Sequence, residues 1–131
     1  MFMNKRFISQ EKGQSLVEFA LLLPLLLFMI CGIIDFGRVM YTHMQLNLVT
    51  QEAVRLGGLG RSDAYIKQYT LDHVNDPTKV IVTITPSETL RNSGDYVKVS
   101  LEQQIEYITP LMSTVLPSPY RVVTESTIRV E

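Results

Sequence analysis

Apolar and polar positions divide this chain into stretches of different rhythm. Residues 1–13 mix Lys5, Arg6, Glu11 and Lys12 with apolar side chains and end in a glycine. From Phe19 to Ile34 no residue is charged or strongly polar. As a helix this run is about 24 Å long, at the short end for a bilayer core, and Leu16, Val17 and Phe36 extend it. Beyond Gly37 the pattern becomes amphipathic, with Phe36, Val39, Met40, Met44 and Leu46 on one broad face and Arg38, Thr42, Gln45 and Glu52 elsewhere. Gly57-Gly58-Leu59-Gly60 stops the helix, because glycine is costly inside a helix and favoured at its C-terminal cap. A helix starting near Gln14 and ending near Leu56 spans about 65 Å, more than twice a membrane thickness. Its second half must stand in water and pack on something. Pro24 removes one backbone donor inside it, which predicts a loosened or kinked turn.

After the glycines the rhythm shortens. Ser62 or Asp63 caps a second helix through about Val74, with Tyr65, Ile66 and Tyr69 inward, and Asn75-Asp76-Pro77 ends it. Lys79 to Thr85 is rich in β-branched residues and reads as a strand. Asn92-Ser93-Gly94-Asp95 is a turn, and Tyr96 to Leu101 alternates as a second strand whose pairing continues towards Ile105 and Tyr107. Pro110 and the Pro117-Ser118-Pro119 cluster bound a short segment, Leu111 to Leu116, irregular or of one to two helical turns. Tyr120 to Val130 forms a last strand. Its faces, Val122, Thr124, Ser126, Ile128 and Val130 against Val123, Glu125, Thr127 and Arg129, are too mixed to say which is buried.

The predicted fold class is α+β: a long N-terminal transmembrane and then amphipathic helix, packed on a small antiparallel sheet of about three strands. The predicted division is a basic leader over 1–13, the helix over 14–56 with its membrane part at about 16–36, and a small extracytoplasmic domain over 57–131. A sheet in a region that small is marginal alone, so the helix must supply its second layer.

Composition narrows the function. The formal net charge is −1, and removing residues 1–13 leaves 9 basic and 12 acidic side chains. Only the leader carries a net positive charge, and no basic patch follows it, so there is no electrostatic footprint for nucleic acid. Basic residues before the apolar run, with Asp35 and Arg38 cancelling behind it, put the N-terminus in the cytoplasm and the C-terminal region outside, in a single-pass membrane protein. No convincing small-x-small site follows the run, which argues against a cleaved secretory signal. The single Cys31 cannot close an internal disulfide and reads as a small hydrophobe among helices.

Candidate chemistry is sparse. His43 and His73 have no Cys or His at ligand spacing, so no metal is expected. The glycine cluster lacks the lysine of a phosphate-binding loop, and no nucleophile elbow occurs. No catalytic residue, cofactor or small-molecule substrate is predicted. Asp95, Glu102 and Glu106 read as solvated strand-edge charges. Asp35 and Arg38, three apart, read as a local helix pair at the membrane border, with a contact between subunits as the alternative.

One residue resists a structural explanation. Glu18 stands at the head of a membrane-length apolar segment, where a carboxylate is costly and an anchor gains nothing from it. Gly13, five residues earlier, is either a flexible joint or a point where the backbone can enter a protease site in extended form. The pattern of Gly13, Glu18 and an apolar helix resembles the prepilin processing site of the type IV pilin superfamily. The stretch from Gly13 through Glu18-Phe19-Ala20 to Pro24 is more closely similar to the TadE-like pseudopilins of Tad, or Flp-type, pilus systems. Gly32 to Arg38 and Gln51 to Arg55 resemble weaker blocks of that family, so the likeness covers about residues 13–56.

This resemblance implies a minor pseudopilin that is cleaved after Gly13 by a prepilin peptidase, leaving Gln14 as the new N-terminus. Glu18, with Phe19 beside it, would pair with the α-amine of a neighbouring cleaved subunit, making two isolated charges tolerable in the membrane. The implied partners are the peptidase, other pilins and pseudopilins, an inner-membrane assembly platform and membrane lipid, in or priming a pilus. The alternative is an uncleaved single-pass anchor displaying a small binding domain, with Glu18 snorkelling to the interface.

Overall fold

The computed structural model describes residues 3–110 and 112–131, with side chains from residue 11 onward. The charges Lys5 and Arg6 of the predicted leader, and Leu111, therefore lie outside the described side chains. Six elements follow in order: α1 (Met3–Gly58), α2 (Asp63–His73), β1 (Val80–Thr85), β2 (Tyr96–Ile105), α3 (Met112–Val115) and β3 (Tyr120–Arg129). The architecture is a long N-terminal apolar helix packed on a three-stranded antiparallel sheet of order β1-β2-β3, an α+β fold.

Helix α1 is longer at both ends than its periodicity predicts. It is already formed at Met3 and passes through Gly13 and Pro24. The leader carries good helix formers, and one interior glycine costs only about 1 kcal/mol, too little to break the helix. At the other end the helix takes in Gly57 and Gly58, and Gly60, with φ +77, makes the left-handed cap. Arg61 N–H donates to the Leu56 carbonyl and Gly60 N–H to the Gly57 carbonyl, both at 3.1 Å. These bonds satisfy carbonyls that the end of a helix leaves open.

The sheet registers β1 on β2 from Val80↔Gln103 to Thr85↔Lys98, and β2 on β3 from Tyr96↔Arg129 to Ile105↔Tyr120. Alternation then places Val97, Val99, Leu101 and Ile105 of β2, Val80 of β1 and Val122 and Thr124 of β3 on one buried face. The second half of α1 covers that face with Leu46, Val49, Ala53, Val54 and Leu56, and Ile66 and Thr70 of α2 close the core beside it. This decides the face of β3 that the sequence leaves open. Thr124 is buried because the Thr50 hydroxyl meets its hydroxyl at 2.6 Å.

The buried stripe of α1 is rotated from the predicted one. Val39 packs against the core and Leu46 lies in it, but Phe36, Met40 and Met44 are exposed. The layers approach closely at the C-terminal end of α1. A Cβ on Gly57 would stand 3.1 Å from Val97 Cγ1, and one on Gly58 would stand 3.0 Å from Ile128 Cγ2 and 3.3 Å from the Arg129 carbonyl. Gly57 and Gly58 leave room for this approach, while Leu46, Val49, Val54 and Leu56 fill the rest of the inward stripe.

Helix α2 starts as predicted, with Ser62 Oγ accepting from Tyr65 N–H, but Tyr65 lies outside rather than inside, under Arg61. Strand β2 is central, which corrects the reading of Glu102 as an edge charge: it pairs with Arg121 on β3 at 3.4 Å, as Lys98 pairs with Glu125 at 2.8 Å. Pairing of β2 stops at Ile105, short of Tyr107, because the next backbone groups are engaged by α1.

Candidate processing junction and membrane-border site

The predicted junction lies on α1, in its fully exposed N-terminal part. Gly13, Gln14, Glu18 and Phe19 are all exposed, and a Cβ at Gly13 would meet nothing within 4 Å. Gln14 and Glu18 are one turn apart on the same face, and Gln14 Nε2 donates to Glu18 Oε1 at 3.2 Å. The group nearest to Glu18 is therefore the side chain of the residue that the pattern marks as a new N-terminus. Phe19, the next residue along the helix, is 61% exposed. Pro24 continues the apolar surface below, where α1 is long and apolar enough to cross a membrane, with mean hydropathy 2.6 in its most apolar window and none of that window buried.

A second constellation, not visible in the spacing, sits where the apolar run ends. Asp35 is 3% exposed. Its Oδ1 accepts from Ile108 N–H at 2.9 Å, and its Oδ2 accepts from Thr109 N–H at 2.8 Å and Thr109 Oγ1 at 2.5 Å. Arg38 Nη1 stands 3.5 Å from Asp35 Oδ1 and donates to the Glu106 carbonyl at 3.0 Å. The helix pair expected from the three-residue spacing is present, but both partners are chiefly occupied with residues 106–109, about seventy positions later. One carboxylate and one guanidinium together fix the chain leaving β2 to the helix. The only sequence signal was a lone Asp at the end of an apolar run.

Around this latch the residues 107–120 lie along α1. Tyr107, Met112, Leu116 and Tyr120 face Gly32, Phe36 and Val39 across a groove of about 290 Å³. Pro110 closes a smaller one, about 230 Å³, with Pro24, Leu27, Phe28 and Cys31. Among the described residues no group of three or more His, Cys, Asp and Glu is placed to hold a metal ion. His43 is exposed, and His73 stacks on Tyr69 with its Nδ1 2.7 Å from the Tyr69 carbonyl.

Helix α1 thus runs exposed through a membrane-length apolar segment and then becomes one layer of a small α+β domain. In the comparison with protein families, residues 13–55 match the family described as TadE-like protein, about a third of the chain. The matched segment opens at Gly13 and closes at Arg55 in the last turns of α1. No curated protein and no solved structure matches.

Proposed function

We propose that this chain is a minor pseudopilin of a Tad-type pilus, made as a precursor and cleaved after Gly13 by a prepilin peptidase. The observation that carries the reading is the coincidence of the Gly13-to-Phe19 junction with the start of the family match and with an unpartnered apolar helix. Cleavage must unwind α1 locally, and glycine is the residue at which a helix is easiest to open. Once Gln14 is terminal, the amides of the first turn lose their carbonyl partners and present partial positive charge. Glu18, in that turn, then has a charge-complementary environment, and pairing with the α-amine of a neighbouring subunit favours docking in one register.

In this reading the N-terminus is cytoplasmic, the sheet domain is extracytoplasmic, and an inner-membrane platform draws the subunit into a pilus or its initiating complex with other pilins. The protein is a substrate of the peptidase and a structural subunit, not an enzyme. N-terminal sequencing of the protein recovered from membranes of cells with an active prepilin peptidase tests it. A start at Gln14 supports the reading; a start at Met1, with the peptidase active on another substrate, leaves an uncleaved anchor. Gly13→Leu should stay at full length, and Glu18→Ala should insert normally but fail to enter assemblies.

A further inference from the structure

We propose that the segment between β2 and β3 is a second membrane contact, resting at the boundary of headgroups and acyl chains in the leaflet on the sheet-domain side. The proposal rests on α1 crossing the membrane. From Tyr107 to Tyr120 the sequence has no charged residue, although Glu106 and Arg121 flank it directly. Ile108 is 58%, Val115 79% and Leu116 43% exposed, apolar surface that an aqueous loop has no reason to carry.

Depth distinguishes this segment from an ordinary sticky patch. Pro110 packs beside Pro24, Leu27, Phe28 and Cys31. Thr109, the residue before it, is bonded to Asp35, and one residue reaches about 3.8 Å further, so Pro110 stands about one helical turn inside the border of the apolar run. A bilayer that covers Phe19 to Ile34 of the helix must therefore meet residues at the level of Pro110 too.

The polar groups at the neck fit that depth. Backbone at the edge of hydrocarbon has to be satisfied within the protein. The amides of Ile108 and Thr109 are satisfied by Asp35, and the Glu106 carbonyl by Arg38. Tyr120, exposed at the end of the segment with its ring centroid 6.4 Å from that of the more buried Tyr107, has the place that amphipathic rings favour at a membrane–water interface. The latch thus holds an apolar loop against the span while its own charges sit at the headgroup level.

The test uses the full-length chain with Cys31→Ala, reconstituted in phosphatidylethanolamine–phosphatidylglycerol vesicles. A single cysteine carrying a polarity-sensitive fluorophore is placed in turn at Leu22, Ile108, Val115 and Ser93. The expected result is blue-shifted emission and loss of intensity with acyl-chain spin-labelled lipid at Leu22, Ile108 and Val115, and neither at Ser93, in the turn at the far end of the sheet. Quenching at Leu22 with water-like emission at Ile108 and Val115 overturns the proposal and leaves the span intact. Blue-shifted emission there without lipid quenching overturns it in favour of a protein neighbour. No quenching at Leu22 removes both the proposal and the span.

Discussion

Asp35 shows what a single side chain does at the edge of an apolar segment. Its carboxylate is buried and accepts three bonds, two from backbone amides that β2 can no longer use. Hydrogen bonds to a charged group are each worth about 1.5–3 kcal/mol. Asp35→Ala should therefore release residues 106–109 with exchange of the Ile108 and Thr109 amides roughly 30- to 100-fold faster, at about 1.4 kcal/mol per tenfold. Exchange of Val97 to Leu101 should barely change, and hydrogen exchange on the full chain in detergent reads both. Thr50 and Thr124 make a second residue-scale test, because their hydroxyls face each other in the core. Thr50→Val strands the Thr124 hydroxyl and should cost about 1–2 kcal/mol, while the double change to Val should recover most of it. A denaturation cycle over the four variants measures the coupling.

At the scale of elements, the end of α1 works through its glycines in two ways. Gly58 is small because Ile128 and the Arg129 carbonyl are against it, and Gly60 supplies a positive φ. Gly37 meets neither condition, since a Cβ there would touch nothing within 4 Å. Gly58→Ala should lower thermal stability, by about 1–3 kcal/mol from overpacking, and Gly60→Ala by about 1 kcal/mol from strain. Gly37→Ala should hold stability or raise it by up to about 1 kcal/mol. The turn before β1 responds to acid instead. Hydrogen bonds from the Thr78 hydroxyl and amide hold the Asp76 carboxyl below its ordinary value. A depressed carboxyl contributes stability above its unfolded pKa and loses it as pH falls through the folded one. Asp76→Asn should accordingly flatten the stability profile on the acidic side of about pH 4.

For the whole molecule, α1 belongs to two environments. Its first part has no protein around it except the segment after β2, and its last part is half of the domain core. A piece covering residues 34–131 keeps the latch and both layers and should fold cooperatively with dispersed amide resonances. A piece covering 59–131 keeps all three strands but loses the covering layer, and it should not fold, because a small sheet cannot bury enough apolar surface alone.

The amino-acid pattern by itself determined the existence and type of the main elements. A run from Phe19 to Ile34 without charge is a helix of membrane length by solvation alone, and strict alternation over Tyr96 to Leu101 is a strand by the two-residue period. It also set Glu18 apart, because a charge beside such a run stands out locally. Tertiary structure decided everything that depends on distance between elements. The inward stripe of α1 was not legible, since Phe36, Met40 and Met44 are as apolar as the Leu46, Val49, Val54 and Leu56 that actually face β2 and β3. The face of β3 and the task of Asp35 were hidden for the same reason. Each is set by a partner some seventy positions away, and periodicity carries no record of a partner that far along the chain.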